Sequence, residues 1–294
     1  MNSKSRNFLL VFLLLTFPLS FVFSQNATAY QFYTKKGKKV KFERMVNQLL
    51  KYDVVLFGEN HDNSINHWLE LQLTKALYSK KGSDLVLGAE MFERDNQSQL
   101  NAYLAGNIEE KDLKDSIRLW NNHTTDYHPL MDFAKTHHLK FIATNIPRKY
   151  ASQVYKEGLK SLDFLPEDEK KWIMNLPVDV DMETPGYPEM LEMMFDHMEE
   201  GGINFVAAQA VKDATMAESI LDYWSQGKLF LHYNGNYHSK EYGGIYWYLK
   251  KQNPHLKIAV ISVFESEENS VSLPKEAKLT EFNVVIPSDM TKTY

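Results

Sequence analysis

Short, continuous apolar runs recur along the chain, and stretches with helical periodicity or polar residues separate them. Runs that lack polar alternation are typical of strands buried on both faces of a parallel sheet. Six runs are predicted strands: residues 54–57, 85–89, 141–143, 229–231, 258–263 and 284–286. The alternation of these strands with helices predicts an α/β fold, in which helices flank a mostly parallel central sheet.

The segment between the first two predicted strands has the periodicity of a helix that packs one face on the sheet. The apolar positions of that face are Ile65, Leu69, Leu73, Ala76 and Leu77. A polar residue just before them is expected to cap the start of the helix, with Asp62, Asn63 and Ser64 as candidates.

The stretch from about residue 149 to residue 224 interrupts the alternation of strands and helices. It contains no clear strand and is rich in helix-forming residues, methionines and aromatic residues. We predict that residues 149–224 form a helical insertion, a smaller subdomain packed over one edge of the sheet. The whole α/β domain, with this insertion, is expected to span residues 25–294.

The first 24 residues have the three-part layout of a cleavable export signal. Lys4 and Arg6 precede an apolar run over residues 8–23, and polar residues follow it. The run is shorter than the roughly 20 residues of a membrane-spanning helix, so cleavage near Ser24 is preferred to a membrane anchor. We therefore expect an exported protein in the periplasm or at the cell surface.

The composition excludes several classes of protein. The 294 residues include no cysteine, so disulfides, cysteine-based metal sites and the anchor of a bacterial lipoprotein are excluded. Lys and Arg total 33 against 38 Asp and Glu, which gives a net charge of -5. A general nucleic-acid binder needs a strongly positive surface, so nucleic acid is not an expected partner.

Polar residues follow four of the predicted strands. Ligands of an open parallel sheet bind beyond the carboxyl ends of its strands, so these residues are candidates for one site. They are Glu59 and His61 after the first strand, Glu90 after the second, Asn145 and Arg148 after the third, and the segment 232–238 after the fourth.

The spacing Gly-x-x-His occurs twice, at Gly58–His61 and at Gly235–His238. Glycine after a buried strand permits a tight turn, and the histidine three residues later can point back over the sheet edge. Two imidazoles and a glutamate suit either a divalent metal ion or acid–base catalysis. The candidate metal ligands are His61, Glu90 and His238. The candidate catalytic residues are these three with Glu59, and with Arg148 to stabilise developing negative charge.

These segments resemble the ChaN-like haem-binding uptake family of the Tiki superfamily. The matching residues are Gly58 to Asn63 with His67 and Gln72, Glu90 to Arg94 with Gln97 and Leu100, Ala143 to Arg148, Ala208-Gln209 with Asp213 and Thr215 to Ala217, and Asn234 to His238. The wider superfamily is similar to metal-dependent peptidases and erythromycin-esterase-like enzymes. The chain departs from the family at His67-Trp68, where members often carry adjacent histidines.

The resemblance implies an exported haem-binding protein that is associated with haem or iron uptake. Haem, a haem-bridged second copy of the chain and outer-membrane uptake machinery are then the expected cofactor and partners. Candidate iron ligands are His197, Tyr233 and Tyr237, since haem iron is held by such side chains. Two alternatives stay open. The first is a metal-dependent hydrolase that uses both Gly-x-x-His motifs, and the second is an exported small-molecule-binding scaffold whose polar cluster is structural.

Overall fold

The computed structural model describes residues 28–195, 202–267 and 271–294. The predicted export signal and the candidate iron ligand His197 lie outside these residues.

The core of the described chain is one seven-stranded sheet with the strand order β1-β7-β6-β2-β5-β3-β4. The strands are β1 (Gln31–Thr34), β2 (Val54–Glu59), β3 (Leu85–Glu93), β4 (Phe141–Asn145), β5 (Leu229–Gly235), β6 (Ile258–Ser266) and β7 (Phe282–Pro287). Strands β2 to β7 run parallel, while β1 pairs antiparallel with β7. The predicted mostly parallel sheet is confirmed, and each of the six predicted strands coincides with one of β2 to β7.

Helices cover both faces of the sheet. They are α1 (Phe42–Leu49), α2 (Ser64–Lys81), α3 (Gln97–Leu104), α4 (Glu110–Ser116), α5 (His128–Thr136), α6 (Arg148–Glu157), α7 (Glu167–Lys170), α8 (Tyr187–Phe195), α9 (Gly202–Tyr223) and α10 (Gly244–Gln252). The helices on one face include α1, α2, α3 and α5, whereas α6, α9 and α10 pack on the other. No helix in the described residues is both long enough and apolar enough to cross a membrane.

Alternate residues of each central strand pack against the helices on opposite faces of the sheet. In β2, Val55 and Phe57 join the core beneath α2, while Val54 and Leu56 join the core beneath α9. All four side chains are fully buried. Burial on both faces explains why the strands appear in the sequence as unbroken apolar runs.

The described residues of the stretch 149–224 form helices and loops, with no strand among them. Within this stretch, α6 and α9 lie directly on the sheet, through buried residues such as Val154, Val206 and Ala210. Helix α9 packs against α6, α10 and β4. This position brings one side of α9 to the carboxyl ends of the strands.

Candidate functional site

A cleft of about 590 Å³ opens at the carboxyl ends of β2, β3, β4 and β5. Four of the predicted site residues line it: His61, Glu90, Arg148 and His238. Glu59 lies directly beneath, at the last position of β2, and contacts His61. The parallel sheet thus brings together residues that are widely separated in the sequence, as its topology predicts.

The two Gly-x-x-His motifs fit into each other at the floor of the cleft. Glu59 lies opposite Gly235 in the pairing of β2 with β5. A Cβ atom on Gly235 would lie 2.6 Å from Nε2 of His61, and one on Gly58 would lie 2.6 Å from Oδ1 of Asn236. Each glycine therefore leaves the space that a side chain of the other motif occupies.

A buried carboxylate fixes the orientation of His61. Nδ1 of His61 lies 2.7 Å from Oε1 of Glu59, and the Tyr127 hydroxyl donates to the same oxygen at 2.8 Å. Burial favours neutral His61, but its hydrogen bond to Glu59 and the nearby carboxylate charges raise its pKa above the usual value. Burial likewise opposes ionisation of Glu59, but His67 and His61 hold the pKa of this carboxyl well below its usual range.

His238 lies between two carboxylates. Its Nδ1 is 2.5 Å from Oδ1 of Asp213 on α9, and its Nε2 is 3.1 Å from Oε1 of Glu90. Burial disfavours the charged ring, but Glu90 and Asp213 raise the pKa of His238 to about 10. His238 is therefore an imidazolium at neutral pH, and it holds the pKa of Glu90 well below normal against the effect of burial.

Further hydrogen bonds fix both carboxylates. The backbone N–H of Gly235 donates to Oε2 of Glu90 at 2.7 Å, and the Tyr187 hydroxyl donates to Oδ2 of Asp213 at 2.7 Å. The side-chain amide of Gln209 lies 2.9 Å from Nδ1 of His238. Each charged group of the floor therefore has hydrogen-bond partners that fix its orientation.

The walls and rim of the cleft differ from its floor. Trp120, Tyr155 and Phe205 supply apolar surface, while Arg148 and Lys212 supply positive charge. Arg118 also lies here, but its guanidinium is paired with the carboxylate of Glu93 at 3.2 Å. The rings of Trp120 and His61 meet edge to face, with their centroids 4.8 Å apart. An apolar slot with cations at its mouth suits an amphiphilic anion.

The structure places neither of the described candidate iron ligands in the cleft. Tyr233 is fully buried on the α2 side of the sheet, where its hydroxyl lies 2.5 Å from Oγ1 of Thr74. Tyr237 is 41% exposed outside the cleft, with Nζ of Lys240 3.8 Å from its ring centroid. The position of Tyr233 gives no support to its predicted contact with iron.

A second group of polar residues, Glu59, His67 and Glu70, lies below the floor, and we call it the buried triad. Among the described residues, it is the one group of three or more metal-ligating side chains whose ligand atoms all lie within 4.8 Å of one another. The predicted metal ligands His61, Glu90 and His238 share the cleft above it.

Sequence reasoning assigned no role to several residues of the site. Gln209 and Asp213 are four positions apart on α9, and this spacing places both on one helical face, so a signal for them existed. Trp120, Tyr127 and Arg118 belong to the segment between α4 and α5, which does not follow any strand. Their approach to the cleft depends on long-range packing that no local pattern specifies.

A family model described as "Haem-binding uptake, Tiki superfamily, ChaN" matches residues 45–249, which is most of the chain and includes both Gly-x-x-His motifs. The chain belongs to the ChaN family. The matched region of this ChaN-family chain contains every described residue that lines the cleft. A comparison with curated protein sequences gives no match.

Solved structures agree with this membership at the level of the fold. The chain is similar to ChaN of Campylobacter jejuni, with 18% identity and a TM-score of 0.65 over 89% of this chain and 98% of that chain. That structure is described as showing cofacial haem binding to ChaN. An erythromycin esterase mutant, EreC, in its open conformation is more distant, with 11% identity and a TM-score of 0.44 over 88% of this chain and 83% of that chain. The TM-score with the Campylobacter jejuni structure shows that this chain has a ChaN-like α/β fold.

Proposed function

We propose that this chain is an exported haem-binding protein associated with haem or iron uptake, and that haem enters the cleft described above. The observation that carries the proposal is the combination of aromatic walls, a cationic mouth and an anchored imidazole in one cleft. Membership of a haem-binding family supports it independently.

The lining of the cleft is complementary to the two chemical parts of haem. Trp120, Tyr155 and Phe205 offer apolar surface to the porphyrin ring. Arg148 and Lys212 offer positive charge to the two propionates. Arg148 also begins α6, where the helix dipole adds to the attraction for an anion.

His61 is the iron ligand that the geometry favours. Its side chain is 32% exposed, whereas both ring nitrogens of His238 contact carboxylates. The contact of Nδ1 with Glu59 leaves Nε2 of His61 for the iron, and a carboxylate partner strengthens an imidazole as a ligand. Because the pKa of His61 is raised, protons compete with iron, so haem affinity should fall as the pH falls through that pKa.

A titration with haemin tests haem binding and the identity of the ligand together. We expect a saturable shift of the Soret band for the unmodified chain and a different spectrum for His61→Ala. His128→Ala, a histidine outside the cleft, serves as the matched control and should behave like the unmodified chain. If Tyr237→Phe changes the spectrum and His61→Ala does not, haem binding survives with another ligand. A linear, unsaturable titration would contradict the proposal.

A haem-bridged homodimer belongs to the same proposal. The solved structure of ChaN from Campylobacter jejuni is described as showing cofacial haem binding to that protein. The cleft of this chain is open to solvent, so a bound porphyrin would keep part of its surface for a second copy. Light scattering with and without haemin should show a change from one copy to two. Outer-membrane uptake machinery is the proposed recipient of the haem.

A hydrolase is the second candidate function, and one observation favours it. One ring nitrogen of His61 and both ring nitrogens of His238 are held by carboxylates, in a cleft that Arg148 also lines. In this arrangement Nε2 of His61 would take a proton from water as the water oxygen bonds to the ester carbonyl carbon. The His238 imidazolium would give a proton to the leaving oxygen as its bond to that carbon breaks, while Arg148 would stabilise the negative charge. A panel of chromogenic esters tests this candidate, since Glu90→Gln should then abolish turnover. Equal rates for the unmodified chain and Glu90→Gln would exclude it.

A further inference from the structure

The buried triad joins a strand end to a helix. Glu59 ends β2, while His67 and Glu70 are three positions apart on α2 and so share a helical face. None of the three residues is more than 5% exposed. They lie below the floor of the cleft, on the α2 side of the sheet.

The separations within the buried triad match those around a bound metal ion. Nδ1 of His67 is 3.2 Å from Oε2 of Glu59 and 3.3 Å from Oε2 of Glu70. Ligand atoms bound tetrahedrally at about 2.0–2.1 Å from an ion are about 3.3 Å apart. Nδ1 of His67 therefore has the spacing of a coordination shell to each carboxylate, and the ligand atoms of all three residues lie within 4.8 Å of one another.

Two carboxylate oxygens of the buried triad have no hydrogen-bond donor outside the triad. They are Oε2 of Glu59 and Oε1 of Glu70, and both are inaccessible to solvent. Buried polar atoms are nearly always paired, because an unpaired one keeps the cost of losing water. A cation between these carboxylates would satisfy both oxygens.

Neighbouring groups orient the donors toward one point. Nε2 of His67 lies 3.0 Å from the backbone oxygen of His61 and 3.4 Å from Oδ2 of Asp126, so it can still donate a proton when a metal ion takes the place of the proton on Nδ1. The other oxygen of Glu59 is occupied by Tyr127 and His61. A hydrogen bond from the distal nitrogen of a ligating histidine to a carbonyl is the usual outer support of a metal site.

We propose that Glu59, His67 and Glu70 bind one divalent transition metal ion beneath the cleft. One imidazole nitrogen and two carboxylates form a mixed donor set that suits Zn²⁺, Mn²⁺, Fe²⁺ or Co²⁺. This site is separate from the residues that would contact haem or a hydrolysed substrate. Because Glu59 also orients His61, the ion would fix the floor of the cleft from below.

A titration of the haem-free, chelator-treated chain with Co²⁺ tests the site. We expect one equivalent to bind, with visible absorption bands that report coordination, and a rise in melting temperature. Glu70→Gln and His67→Gln should each weaken binding by more than roughly tenfold, since even a lost outer partner costs 10–100-fold. Glu93→Gln and His128→Gln are the matched controls and should bind as the unmodified chain does.

Two measurements separate this site from the cleft. The double variant Glu90→Gln, His238→Gln should keep its Co²⁺; loss of the metal there and its retention in Glu70→Gln would overturn the proposal. X-ray absorption on the unmodified chain needs no variant to fold, and it should find one imidazole at the metal. Two imidazoles, or no uptake of Co²⁺ at all, would also overturn it.

Discussion

At the scale of single residues, the surroundings of two histidines shift their pKa values in opposite directions. Two carboxylates raise the pKa of His238 to about 10 despite its burial. His232 is buried beside Thr144 and Asn234, and burial lowers its pKa to about 4. At neutral pH the floor of the cleft therefore has a cation at His238, while His232, on the strand that leads to it, is neutral.

This difference predicts a measurable dependence on pH. In ¹⁵N-edited spectra at pH 8, the ring of His238 should be protonated and that of His232 neutral. Because folding raises the pKa of His238, its protonated ring stabilises the folded state. This contribution to the free energy of unfolding is fully present below about pH 6.5, the usual pKa of histidine, and is lost as the pH rises toward 10. The free energy of unfolding should therefore fall between pH 7 and pH 10. Asp213→Asn should move the loss of charge to lower pH; a neutral His238 at pH 7 would contradict the assignment.

The residue scale also shows how far the sequence can specify the site. The strand ends and the two Gly-x-x-His motifs predicted Glu59, His61, Glu90 and His238 because parallel strands end at one edge. Tyr233 lies within β5 and not beyond its end, so its side chain does not reach the cleft. Because alternate residues of a strand face opposite sides of the sheet, Tyr233 shares the α2 side with Leu231. The contribution of Asp213 comes from a helix more than a hundred residues after β2, so only the tertiary fold could reveal its contact with His238.

At the scale of elements, the strands were predictable and one edge was not. Strands β2 to β7 are apolar runs because both of their faces are covered. The edge strand β1 has only four residues, and its partner β7 lies at the other end of the chain. Its pairing depends on that distant partner, so the local sequence carries no sufficient signal.

Helix α2 starts where polar residues predicted it would, and this start can be tested. Asn63 is its N-cap, and its side-chain oxygen accepts from the backbone N–H groups of Ile65 and Asn66. Asn63→Ala should lower the free energy of unfolding by about 1 kcal/mol, because the N–H of Ile65 loses its partner, while that of Asn66 keeps the backbone oxygen of residue 63. Asn63→Ser, which can still cap, is the control and should lose less. Urea denaturation measures both, and equal losses would show that the cap is not the cause.

At the scale of the whole molecule, the fold concentrates its chemistry at one edge. The two helical layers bury apolar residues along most of the sheet, while the carboxyl ends of four strands stay open to the cleft. The chain contains no cysteine, so this packing must stabilise it without disulfides. That requirement matters for a protein that we propose is exported.

Export predicts a defined mature product. When the complete chain is expressed in a bacterial host, the periplasmic protein should begin near Gln25, because the basic, apolar and polar segments of the first 24 residues match a cleavable signal. Intact-mass measurement of the periplasmic fraction checks this start. A chain that begins at Gln25 without the leader should stay in the cytoplasm as the control. A periplasmic mass that still includes residues 1–24 would count against cleavage.

The fit between the two Gly-x-x-His motifs has a consequence for how such a site can change. A methyl group added at Gly235 would displace His61, and one added at Gly58 would displace Asn236. Neither half of the cleft floor can therefore be redesigned alone, although the halves are far apart in the gene. A library that varies both segments together should recover working clefts that single-segment libraries miss. Substitutions in one segment are therefore expected to persist only together with matching substitutions in the other.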